Sequence, residues 1–145
     1  YAEKAAIVID AEVYKESIGI SRVYSLGVKQ DVIAKAANEI LETEGMTAAF
    51  VIAPMSEDTI SISGRSYGEI NIQMIMEKLG GGGHQTMAAC QLKGYDMKKA
   101  RTALEKAIKA KKHIIEEIPI LIAVFFLLLR SLSMLSKNRI SCFIS

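Results

Sequence analysis

The sequence has no tryptophan, two prolines, two cysteines and two histidines among its 145 residues. Each shortage excludes something. Cys90 and Cys142 lie far apart with no CxxC or Cys/His cluster around either, so the chain holds neither a disulfide framework nor a zinc knuckle. A reducing, cytoplasmic setting suits such a pair. Charge of one sign is also missing. With 18 basic against 16 acidic residues the net charge is +2, too even for a broad nucleic-acid footprint, and any anion has to be met by a local site. Ile118 to Leu129 is an uncharged stretch of twelve residues. That is short of the roughly 20 that span a bilayer and closer to a buried or interfacial helix. No charged segment followed by an apolar one opens the chain, so no signal peptide is read. A sequence that starts on Tyr1 reads as a piece of a longer protein.

Half the residues are apolar and 23% are charged, enough for one core. Ala5 to Asp10 reads as a short buried strand, closed by an acidic, turn-prone stretch through Glu16 to Gly19. Gln30-Asp31 opens a helix with Asp31 as N-cap, Gly45 as its stop, and Val32, Ile33, Ala36, Ala37, Ile40 and Leu41 on one face. Thr47 to Ala53 is a continuous apolar run, expected to be a central strand covered on both faces. Thr59 to Ser63 alternates strictly, and the short Ser56-Glu57-Asp58 turn makes the two an antiparallel hairpin. Ile72, Ile75, Met76 and Leu79 form the stripe of a second helix ending at Gly80; Met87 to Leu92 is a strand; Asp96 caps a third helix. The expected class is α/β, with α+β as alternative: a mixed sheet of about four to five strands in the order β-α-β-β-α-β-α over residues 4–112, with helices packed on it. Residues 1–112 read as one domain. Residues 113–145 read as an atypical apolar tail, helical or disordered.

Gly80-Gly81-Gly82-Gly83-His84-Gln85-Thr86 lies between a helix and a strand. Ordered glycines cost of order 1 kcal/mol each relative to alanine, so four together imply a close approach to the backbone. Successive N–H groups freed of side chains can form an anion-binding nest. A P-loop is excluded, because that motif runs strand, loop, helix and ends in Lys-Ser/Thr. A helix C-terminus disfavours an anion by roughly 0.3–1 kcal/mol, which cationic donors worth roughly 1.5–3 kcal/mol each outweigh. Arg65 and His84 are the candidates, with Gly64 leaving space beside the arginine. Met74, Met76 and Met87 read as core fillers.

The stretch Ile62-Ser63-Gly64-Arg65-Ser66, Gly68 to Asn71, then Met76 to His84 and Thr86 to Gln91, resembles the DHH-associated domain at the C-terminal end of DHH-family phosphoesterases. Within that family it is most similar to the membrane-anchored cyclic-di-AMP phosphodiesterases of the GdpP type. The resemblance implies a two-part enzyme in which a DHH domain holds two manganese ions and this domain closes over the substrate. It further implies that Arg65, Ser66, Gly81, Gly82, Gly83 and His84 hold a nucleotide and its phosphate, with Asn71 as a further pocket residue. Its implied partners are an adenine dinucleotide or short oligonucleotide and the DHH domain of the same parent chain, which hydrolyses cyclic di-AMP to pApA. A homodimer and membrane contact through the tail stay open, and the parent's anchor would be an N-terminal segment.

No Asp-His-His triplet occurs here, and Asp10-Ala11-Glu12 is the nearest approach to paired carboxylates. Two-metal hydrolysis needs such ligands, so this chain is expected to have no catalytic or metal-ligating residue and no cofactor of its own, and to bind without turnover. The alternatives are an RNA-binding or dimerisation module, as at the end of alanyl-tRNA synthetases, and a non-catalytic nucleotide sensor.

Overall fold

A computed structural model describes the backbone of residues 2–144 and the side chains of 2–110 and 121–133. The elements run α1 (Ala2–Ile9), β1 (Glu12–Tyr14), β2 (Ile18–Arg22), α2 (Gln30–Glu42), β3 (Ala48–Pro54), β4 (Thr59–Ser66), α3 (Ile72–Lys78), β5 (Gly82–Gly83), β6 (Met87–Lys93) and α4 (Met97–Ile144). The strands form one mixed sheet in the order β1-β2-β3-β4-β6-β5. Only β2 and β3 are parallel, and the other pairings are antiparallel. The α/β class holds, with six strands rather than four or five.

Two layers of helix sandwich most of this sheet. Phe50, Ile52, Ile62, Cys90 and Leu92 face α3 and the start of α4, meeting Ile72, Ile75, Met76, Ala100 and Leu104. On the other face Ala49, Val51 and Ala53 alternate with them and meet Ile7 of α1 and Ile33, Ala36, Ala37 and Ile40 of α2. This is why Thr47–Ala53 carries no polar residue after its first: β3 is central and covered twice. Ser61 and Ser63 are also buried, so the alternation in β4 separates two covered faces rather than core from solvent.

The beginning of the chain corrects the expectation. Residues 5–10 are not a strand: Ala2–Ile9 is helical. A short apolar run does not distinguish strand from helix by periodicity, and the alanines and charged residues here favour the helix. Ile7 packs toward α2, and its carbonyl accepts a 2.6 Å bond from the buried Ser21 hydroxyl. The stretch through Glu16 to Gly19, expected as turn, lies within the hairpin β1–β2. Its connection places Lys15 (φ 50°) and Glu16 (φ 71°) in the left-handed region, where glycine or asparagine is the usual signal. Asp31 is not the cap of α2 either; Lys29 holds that position without a side-chain bond. The helix ends before Gly45, with Thr43 as its C-cap. Asp96 does cap α4, its carboxylate accepting the Lys99 amide at 2.7 Å.

The chain divides into two compact units, residues 1–108 and 109–145. In the second, Leu121, Ile122, Val124, Phe125, Phe126, Leu127, Leu128, Leu129 and Leu132 are all exposed. Among the described residues no helix is long and apolar enough to cross a membrane. The side-chain expectations for residues 113–120 and 134–145, with Cys142, lie outside the described side chains.

Burial of Cys90 against α3 and α4 pushes its thiol up to about 11. The folded chain therefore keeps that proton at pH values where the unfolded chain loses it, so stability is full below about pH 9 and declines as the pH rises above it. In a Cys142→Ser background, thiol labelling at pH 8 is expected to be negligible until urea unfolds the domain. Labelling as fast as in the unfolded chain would contradict this burial.

Candidate functional site

The helices α1 and α2 stop short of the last two strands. β6 alternates buried and exposed along its length: Ala88, Cys90 and Leu92 face α3 and α4, while Met87, Ala89, Gln91 and Lys93 face solvent. The last two strands thus leave one face of the sheet open to solvent, as antiparallel strands can.

The register assembles that face row by row. Arg65 is paired with Ala49 on one side and Met87 on the other. His84 lies beyond Met87, donating its amide to the Met87 carbonyl at 2.6 Å and accepting the Met87 amide at 3.3 Å. Directly opposed residues share a face, and strands lie about 4.8 Å apart, so the Arg65 and His84 α-carbons flank Met87 at about 10 Å from each other. The next row runs Val51, Ser63, Ala89, Gly82. Its open part, Ala89 and Gly82, is flush with the backbone. Gln30, the first residue of α2, stands at the covered end of this row and donates from Nε2 to the Ser63 hydroxyl at 3.1 Å.

Arg65 is the charge in this arrangement. One guanidinium nitrogen, Nη1, bonds the Gly64 carbonyl at 2.8 Å, while Nε is buried without a partner. No carboxylate among the described residues pairs with it. Desolvation lowers its pKa from the ordinary arginine value. A half-buried guanidinium with unused donors has the chemistry to meet an anion bidentately. Gly64 does not open space for it: a Cβ there would lie 2.7 Å from Ile72 and 2.9 Å from the Phe50 ring, so the glycine serves the core on the far face.

The glycine run also has an internal cause. A Cβ on Gly81 would collide with the Ala89 carbonyl, and one on Gly83 would lie 2.6 Å from the Ala88 Cα. Gly80 and Gly83 take positive φ, 81° and 148°. The backbone that approaches these glycines is that of β6 itself. Of the four glycines, Gly80 and Gly82 face open space, Gly80 in the left-handed conformation that ends α3. Behind the loop, the Ser66 amide bonds the Thr86 carbonyl at 3.0 Å, the Ile72 amide bonds the Gln85 carbonyl at 2.8 Å, and Gln85 Nε2 bonds the Gly68 carbonyl at 3.1 Å. Gln85 and Thr86 are thereby fixed to the segment that follows Arg65.

Of the residues singled out in the sequence, Arg65, Gly82 and His84 come together at this face. Ser66 is buried, donating to the Ile70 carbonyl at 2.7 Å and accepting the Gly68 amide at 3.2 Å. Asn71 is the N-cap of α3, accepting the Met74 amide at 3.1 Å. Of the methionines expected as core fillers only Met76 is buried; Met74 and Met87 are about half exposed, Met87 because it lies on the bare face. Sequence reasoning passed over Gln30, Gln85 and Ala89. Ala89, a small residue at an exposed position of an alternating strand, was the available signal. Among the described residues no group of His, Cys, Asp and Glu could hold a metal.

The family model for the DHHA1 domain matches residues 15–116, which include every element of this face. The chain belongs to the DHHA1 domain family. This DHHA1 domain is 39% identical over 111 residues to the cyclic-di-AMP phosphodiesterase GdpP of Bacillus subtilis and 40% identical over 111 residues to the cyclic-di-AMP phosphodiesterase PdeA of Listeria monocytogenes. Those matches cover 74% and 76% of this chain but 17% of either relative, so the chain spans about a sixth of their length. Among solved structures, an exopolyphosphatase-related protein from Bacteroides fragilis superposes with a TM-score of 0.65 at 17% identity, covering 79% of this chain and 35% of that one. The C-Ala domain of Aquifex aeolicus alanyl-tRNA synthetase does so with 0.54 at 15% identity, covering 68% and 96%. At these identities the likeness is one of fold.

The glycine packing has a measurable consequence for the DHHA1 domain. Gly81→Ala and Gly83→Ala are each expected to cost about 1–3 kcal/mol in urea unfolding, because β6 cannot withdraw. Gly82→Ala is expected to stay within about 0.5 kcal/mol of the unaltered chain. Equal losses at all three positions would contradict the close approach.

Proposed function

We propose that this domain is the substrate-recognition half of a nucleotide phosphodiesterase, binding an adenine dinucleotide by its phosphate on the open face of β6. Support comes above all from the row Arg65, Met87, His84: a guanidinium with no carboxylate partner among the described residues and a histidine share one bare face, set by main-chain bonds. The names of the relatives as cyclic-di-AMP phosphodiesterases agree with that chemistry. Arg65 takes two phosphate oxygens in its planar fork, His84 donates from the opposite side, and the Gly82 position lets the ligand lie against the backbone.

Hydrolysis is assigned to a DHH domain carrying two manganese ions in the parent chain. Such a pair activates water and stabilises the leaving oxygen, and Arg65 with His84 supplies neither role. The recognition half would hold the phosphodiester still while that domain acts on it.

Binding of cyclic di-AMP and of pApA by titration calorimetry tests this. Arg65→Ala and His84→Ala are each expected to weaken binding by about 1.5–3 kcal/mol through a lost charge-assisted hydrogen bond. Unchanged affinity in both variants would remove the site. With manganese added, the purified chain is expected to release no pApA from cyclic di-AMP; metal-dependent release would refute the division of labour.

A further inference from the structure

We infer that Gln30 is a specificity-determining residue that reads the N6/N7 edge of an adenine seated on Ala89 and Gly82, and that Ser63 positions it. This rests on the phosphate site proposed above and adds the base to it. Gln30 and Arg65 belong to neighbouring rows of one face: Ser63, which holds the glutamine, is two residues from Arg65 along β4, about 7 Å at strand spacing. Between Ser63 and solvent the row offers only a methyl group and a glycine, so a planar ring can lie directly on the sheet.

The hydrogen-bond inventory of the amide selects the base. A glutamine carries two N–H donors and one carbonyl acceptor. The Ser63 hydroxyl takes one donor, leaving one N–H and Oε1 side by side. Adenine presents one donor, the N6 amino group, beside one acceptor, N7, and is matched by what remains. Guanine presents two acceptors, O6 and N7, on the same edge, and only one donor is left for them. Ser63 is buried, so its hydroxyl holds the amide nitrogen against the sheet at the covered end of the row. Gln30 itself is exposed, with its free edge available to a ligand.

The experiment measures dissociation constants of the whole 145-residue chain for three probes: pApA, pGpG, and pApA carrying 7-deazaadenine, which lacks the N7 acceptor. The unaltered chain is expected to bind pApA about tenfold more tightly than either other probe, the discrimination of one bidentate base contact. In Gln30→Ala the three constants are expected to converge within about twofold. Ser63→Ala is expected to narrow the preference in the same direction with Gln30 still present, which marks a positioning residue. A Gln30→Ala chain that keeps the tenfold preference overturns the assignment and leaves the phosphate site standing, as does an unaltered chain that binds all three probes equally or prefers pGpG. An unaltered chain that binds none of them overturns the phosphate site and this inference together.

Discussion

Everything at the candidate site depends on how closely the segment after α3 lies against β6. Gly81 and Gly83 bring two backbones to a distance that no side chain would permit, and the pairing they allow sets His84 opposite Met87. Arg65 reaches the same methionine from the other side through β4. The position of one cationic group relative to a second donor is therefore decided by main-chain hydrogen bonds and sheet geometry, with no direct bond between them. The glycines work mainly through the fold. Two of the four, Gly81 and Gly83, are consumed by the packing on β6, which is a different division of labour from a nest in which all four amides turn inward.

The middle of the chain was legible because its signals are redundant. In α2 the apolar positions recur at helical spacing; β3 is apolar throughout; β4 follows after a short turn; and α3 and α4 carry stripes and caps of ordinary kind. The beginning was not legible. Ala5 to Ile9 is too short for its period to decide between helix and strand, and its helical state depends on packing against α2 and on the Ser21 hydroxyl. The hairpin β1–β2 turns on Lys15 and Glu16, residues that do not announce a left-handed backbone. Yet Ile18-Gly19-Ile20-Ser21 alternates, and that pattern was present to be read.

The site divides in the same way. Arg65, His84 and the glycine run stand out by type and spacing, so local chemistry points to them. Ser66 and Asn71 stand out equally but close the turn after β4 and cap α3, because small polar residues satisfy backbone groups as readily as they meet ligands. Gln30 and Ala89 carry no local signal. Their place beside Ser63 and Gly82 follows from strand order and register, and a pairing between residues 63 and 89 is not written in either segment alone.

The three bonds that tie Gln85 and Thr86 to residues 66–72 bear on the thermodynamics of the proposed recognition. For the binding proposed above, a loop held in this way has little conformational freedom left to lose at the moment of contact. Complex formation at such a rim approaches rigid docking. Its heat-capacity change then reports the area covered and carries no contribution from a segment becoming ordered.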